Sequence, residues 1–247
     1  MSLHATILKS TLRYLSIGLL AISAGPVAGQ QRRVAEGGTR AVVVDERLAV
    51  ILEAPDLSAN LLRRISRGRT VAVKGAKRSP DGVIFYRVSL TKRTGGWIQS
   101  EAVASLVRKD DDERLLRLID SSNDFDRIVR ARIFLDMFQK SPLRPRVLLI
   151  YGEAVEKVAA RLSHDAIRRL DQKEMEAGGG PTFSYYLSYN GLDRYRRQGI
   201  VFLFDRVRKQ FHYDGASWRE VVRRYPRSPE AEEARRQLET LSTIALK

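Results

Sequence analysis

From Thr39 to about Leu106, apolar and polar positions alternate with a period of two. Beyond Glu113 they recur every three to four residues. The first stretch holds Ala41-Val42-Val43-Val44, Leu48-Ala49-Val50-Ile51, Leu61-Leu62, Thr70-Val71-Ala72-Val73, Val83 to Leu90 and Gly95-Gly96-Trp97-Ile98. These short β-branched and aromatic runs, bounded by Gly, Pro and Asp, predict strands of a small antiparallel barrel. Trp97 is expected in its core. Arg108-Lys109-Asp110-Asp111-Asp112-Glu113 predicts a charged hinge.

Helical spacing follows. Leu115, Leu116, Leu118 and Ile119 open one helix, and Ile128, Ala131, Ile133, Phe134, Met137 and Phe138 stripe a second. A third spans about Pro145 to Leu162, with Val147, Leu148, Tyr151, Ala154, Val155, Val158 and Ala159 inward. Ser163 is the expected N-cap of a further turn from Ala166 to Leu170. Gly178-Gly179-Gly180-Pro181 breaks the pattern, and a weaker helical one returns from Tyr185 to Tyr195. Residues 200–214 fit two readings. Ile200, Val201, Phe204, Val207 and Phe211 share a helical face, whereas Phe202 and Phe204 against Phe211 and Tyr213 suit a hairpin. Arg206 to Lys209 supplies no Gly, Asn or Pro for a tight turn, which favours the helix. Ser217 and Glu220 predict a capping box ahead of Trp218, Val221, Val222 and Tyr225. Ser228-Pro229 starts the last helix, with Ala231, Ala234, Leu238 and Leu241 inward.

The N-terminus reads as an export signal. Lys9 and Arg13 precede the apolar run Tyr14 to Ile22, and small residues lead through Pro26 to Gly29. The predicted organisation is a signal peptide over residues 1–29, a linker over 30–38, a β-domain over 39–107, the hinge over 108–114 and a helical domain over 115–247. Cleavage would place the mature protein in the periplasm or outside the cell. It would lower the formal charge from +15 to +13, since Lys9 and Arg13 leave without an acid. Such a charge favours an anionic partner. Export sets nucleic acid aside and leaves acidic protein, cell wall or other anionic envelope polymer, and peripheral contact with acidic lipid. The chain has no cysteine, which excludes disulfides and thiol chemistry.

The β-region resembles the bacterial SH3-like domain family over residues 40–106. The resemblance rests on Leu48 to Ile51, Gly68-x-x-Val71-x-Val73, Phe85-Tyr86-Arg87-Val88 and Gly96-Trp97-Ile98. Family members usually carry Asn, Arg and Gly in the loop after the early strand. This chain reads Leu48-Ala49-Val50-Ile51-Leu52-Glu53-Ala54-Pro55, so the ligand loop is not carried over. The helical region looks like tetratricopeptide-type hairpins. Phe138-Gln139-Lys140-Ser141-Pro142 and Tyr225-Pro226-Arg227-Ser228-Pro229 repeat one junction, an aromatic closing a helix and Ser-Pro opening the next. Together the resemblances imply a multidomain α+β protein, with a small SH3-like β-barrel followed by an all-α, tetratricopeptide-like helical-hairpin domain.

Candidate chemistry is sparse. Outside the signal segment the only histidines are His164 and His212. No His-x-His, His-Glu-x-x-His or Gly-x-Ser-x-Gly occurs. His212-Tyr213-Asp214 is read as packing or capping, and Gly178 to Gly180, with no Lys-Ser or Lys-Thr after it, as a loop. No catalytic residue, metal site or cofactor is expected. The basic residues Arg63, Arg64, Arg67, Arg69, Lys74, Lys77, Arg78, Lys92 and Arg93 form the candidate anion-contact set. The expected function is a non-enzymatic exported envelope adaptor. It would bind a protein partner through its helices, and cell wall or protein through its β-domain. The alternatives are a structural accessory subunit or an unfamiliar peptidoglycan hydrolase.

Overall fold

The computed structural model describes residues 38–245. The signal-peptide reading and most of the linker lie outside the described residues. Seven strands come first: β1 Thr39–Val43, β2 Val50–Leu52, β3 Leu61–Arg64, β4 Thr70–Arg78, β5 Ile84–Ser89, β6 Gly95–Gln99 and β7 Val103–Ser105. All pair antiparallel, in the order β3-β2-β6-β5-β4-β1-β7. The strand alternation works as the sequence implies. Val71, Val88, Ile98, Ala41 and Val43 face one core, joined by Ile51 and Leu90.

The expected small barrel is not what forms. The strands make one seven-stranded sheet with β3 and β7 at its two ends, unpaired with each other. Side chains from the helices account for the β7 end. Arg114 donates to the carbonyls of Glu101 and Val103, at 3.1 and 2.6 Å. Asp111 accepts the Ser105 amide at 2.7 Å, and Arg130 donates through Nε to the Val44 carbonyl at 3.0 Å. Backbone groups that a closing strand would satisfy are satisfied by side chains instead.

The helices are α1 Asp111–Asp120, α2 Asp124–Met137, α3 Arg144–Arg169, α4 Gln172–Ala177, α5 Thr182–Leu187 and α6 Asp193–Arg196. After two further strands come α7 Ala216–Arg224 and α8 Glu230–Ala245. The two Ser-Pro junctions share one hydrogen-bond pattern. Ser141 N–H donates to the Phe138 carbonyl and Ser228 N–H to that of Tyr225, while Arg144 and Ala231 donate back to the two serine carbonyls. Helix α3 is the spine. Its inward stripe is the predicted one, and it packs against α2 on one side and α7 on another. The core that it organises also takes in Val42, Val44 and Ala104 from the sheet.

The helical part is not all-α. Phe202–Asp205 (β8) and Gln210–Tyr213 (β9) form a hairpin, with Phe202 opposite Tyr213 and Phe204 opposite Phe211. The helix favoured by the missing turn residues does not form. The turn is made by other means: Asp205 Oδ1 accepts the amides of Val207 and Arg208, at 2.8 and 3.0 Å, and Lys209 takes a left-handed backbone with φ 55°. Strand β9 then docks along α3. Phe211 N–H donates to Ser163 Oγ at 2.7 Å, and Tyr213 N–H donates to Glu156 Oε2 at 2.6 Å.

Two capping signals are used differently from expectation. Ser163 starts no helix; α3 runs through it, and its hydroxyl donates to the Ala159 carbonyl while receiving β9. Ser217 and Glu220 make no capping box. Gly215 precedes α7 with φ 79°, Asp214 accepts the Ala216 amide, and Glu220 turns to Arg144 at 2.9 Å. Trp218, fully buried, lies over Gly152 of α3, the one position on that face where a bare backbone lets the indole in.

Candidate anion-docking surface

Residues 38–107 contain twelve lysines and arginines and six acids. Five of the six acids are taken up by local geometry. Asp45 holds Arg47 at 2.9 Å, and Glu46 accepts the Arg67 amide at 2.7 Å. Glu53 accepts from Asn60, Asp56 from Ser58, and Glu101 faces Arg108. Hydrogen bonding to Arg47 pulls the Asp45 carboxyl below its ordinary range despite its burial. Among the described residues no carboxylate pairs with Arg63, Arg64, Lys74, Lys77 or Arg87.

The sheet register decides which cations act together. Gly75, Arg87, Trp97, Leu52 and Leu61 lie opposite one another across β4, β5, β6, β2 and β3. Residues directly opposite share a face, so Arg87 and Trp97 stand side by side on the face away from Ile98. Lys77, opposite Phe85 and two residues from Gly75, joins them. So does Arg64, opposite Val50. Arg63, opposite Ile51, takes the other face, and it is exposed because β3 ends the sheet. A bulge between Val73 and Gly75 leaves Lys74 outside the ladder and exposed.

The predicted set is therefore split. Lys92 and Arg93 sit exposed in the β5–β6 turn, where Thr91 Oγ1 accepts the amides of Arg93 and Thr94. That turn lies some five residues along β5 from the level of Lys77, roughly 17 Å. Arg78, at the far end of β4, donates to the Gly82 carbonyl of its own turn at 2.8 Å. Arg69 is half-buried. Arg67 leaves the surface altogether: it is 12% exposed and bridges Asp126 of α2 and Glu46. Arg87 was missed, although its place between Tyr86 and Val88, which face the core, puts it on the opposite face of an alternating strand. Trp97 is half-buried on the outer face and is not a core residue.

Elsewhere several polar groups pair with one another. His212, Tyr213 and Asp214 diverge: His212 Nδ1 meets Glu156 Oε1 at 2.8 Å, Tyr213 OH accepts the Ser217 amide, and Asp214 caps Ala216. Burial raises the phenol pKa of both Tyr151 and Tyr213. A cavity of about 280 Å³ beside Tyr151 is lined by Arg144 and Glu220, which pair with each other. Gly180 N–H donates to Tyr185 OH, so the glycine run is packed locally. Among the described residues no three His, Asp or Glu side chains converge as a metal ion would require, and no helix is long and apolar enough to cross a membrane.

No protein-family model matches the chain, and no solved structure does. Over 158 residues, 62% of its length, the chain is 25% identical to the general negative regulator of transcription subunit 1 of Schizosaccharomyces pombe. The chain spans 7% of the length of that relative, which is a likeness of a small portion only.

Proposed function

We propose that this protein is a non-enzymatic, exported docking module. Its sheet would engage an anionic envelope polymer or an acidic protein, and its helices would serve as the scaffold for a protein partner. The observation that carries this reading is the exposed group of Arg64, Lys77 and Arg87 around Trp97, with no carboxylate partner. An aromatic flanked by cations suits glycan or peptide chains bearing acidic groups, since the ring contributes contact area and the cations contribute attraction over about 10 Å at moderate salt. The short likeness to a transcription regulator adds nothing to this reading.

Co-sedimentation with purified cell-wall sacculi across a salt series tests it, comparing the parent protein with Arg64→Glu/Lys77→Glu/Arg87→Glu. Binding should weaken as salt rises and be lost in the triple variant, while the melting temperature holds. Binding that ignores both salt and charge reversal refutes the assignment.

A further inference from the structure

The hairpin and the short helices α4 and α5 enclose a cavity of about 370 Å³, a volume in the ordinary range for small-molecule sites. Its apolar wall is Met175, Phe183, Tyr186 and Phe204, with the Tyr186 and Phe204 rings stacked at 5.1 Å. Two cations stand at it. The Arg206 guanidinium lies over the Phe183 ring at 4.1 Å, and Lys209 completes the lining. Neither has a carboxylate partner among the described residues, whereas Arg208 between them is paired with Asp205.

Lys209 ends the β8–β9 turn. It adopts φ 55°, a conformation that glycine or asparagine enters more readily and that strains a lysine. The β8–β9 turn holds the lysine in that conformation, and Lys209 lines the cavity from it. One acid, Glu176, also lines the cavity, its Oε1 accepting from Gln172 at 2.9 Å. Two positive groups and one negative leave a single positive charge, which a monoanion neutralises.

We infer that this cavity binds a small amphipathic monoanion, an aliphatic or aryl carboxylate whose apolar body lies against the aromatic wall and whose head meets Arg206 and Lys209. The inference is independent of the docking role of the sheet.

Calorimetric titration of the full chain tests it, with octanoate and 4-phenylbutyrate as probes and octan-1-ol as the uncharged control. Saturable binding of one or both acids is expected, with octanol far weaker. Lys209→Gly is the decisive variant, because it relaxes the backbone while removing the ammonium. Its melting temperature should equal or exceed that of the parent, and acid affinity should fall roughly tenfold, the worth of one charge-assisted contact. Arg206→Gln should weaken binding comparably. The inference is overturned if neither acid binds below its micellar limit, if octanol binds as well as octanoate, or if both variants keep parental affinity.

Discussion

Replacing Gly152 by alanine puts the packing of α7 on α3 to a quantitative test. An ideal Cβ at residue 152 would lie 2.2 Å from Trp218 Nε1, 2.5 Å from its Cε2 and 2.8 Å from Ser217 Oγ, where ordinary contact begins at 3.4 Å. Trp218 is wholly buried and its ring is wedged edge-on against Tyr213 at 5.4 Å, so the indole cannot simply swing aside. Two effects oppose each other. Alanine is the better helix former by about 1 kcal/mol, and overpacking a close-packed site costs about 1–3 kcal/mol, occasionally more. An overlap of more than 1 Å on a rigid ring belongs at the upper end of that range, which leaves a net loss of about 2 kcal/mol. For a chain of this size that corresponds to a fall in melting temperature of roughly 4–8 °C. Urea unfolding followed by circular dichroism reads the free energy directly. The same change made in a Trp218→Leu background should lose its penalty, or turn stabilising, because the obstructing ring is gone. A Gly152→Ala protein more stable than the parent, or a penalty unchanged in Trp218→Leu, would refute the argument.

Two further outcomes concern the junction of sheet and helices. Arg130→Met keeps the bulk of a buried side chain but leaves the Val44 carbonyl and Ser122 hydroxyl without their donor. It should cost about 1–3 kcal/mol in urea unfolding, the price of desolvated unpaired groups. Asp45 provides the pH test. Its carboxyl titrates lower in the folded chain than in the unfolded one, so its contribution is present above the ordinary carboxylate range and fades as the pH falls through that range. The stability gap between the parent and Asp45→Asn should narrow on acidification from neutral pH, and a gap that stays constant contradicts the assignment. The contribution is modest because the partner Arg47 is largely solvent-exposed.

Much of the architecture is legible from local pattern. The alternation in Val83 to Leu90 and the inward stripe of α3 are written in single residues, and they appear where those residues put them. What escapes a local reading depends on distant partners. The Val44 carbonyl, just past β1, takes its donor from Arg130, 86 residues away, and no periodicity encodes that bond. Arg67 looks like a surface cation until Asp126, 59 residues on, claims it. The β8–β9 turn is hidden because a side chain, Asp205, replaces the expected backbone-permissive residues. Ser163 and Ser217 carry true capping chemistry by type, yet one is recruited by Phe211 and the other is buried beneath α3. Arg87 was within reach, since it is the charged residue between Tyr86 and Val88, whose side chains face the core.

The α1 side chains that cover the β7 end also impose an order of events on a nascent chain. Every strand of the large sheet is synthesised before α1 and α2 exist. Until Asp111 and Arg114 emerge, the last strand presents an open amide and carbonyl on an uncovered edge, the kind of template on which other chains add. The sheet is therefore complete in sequence well before it is complete in chemistry, and its interval of greatest exposure ends only when two helical side chains have been made.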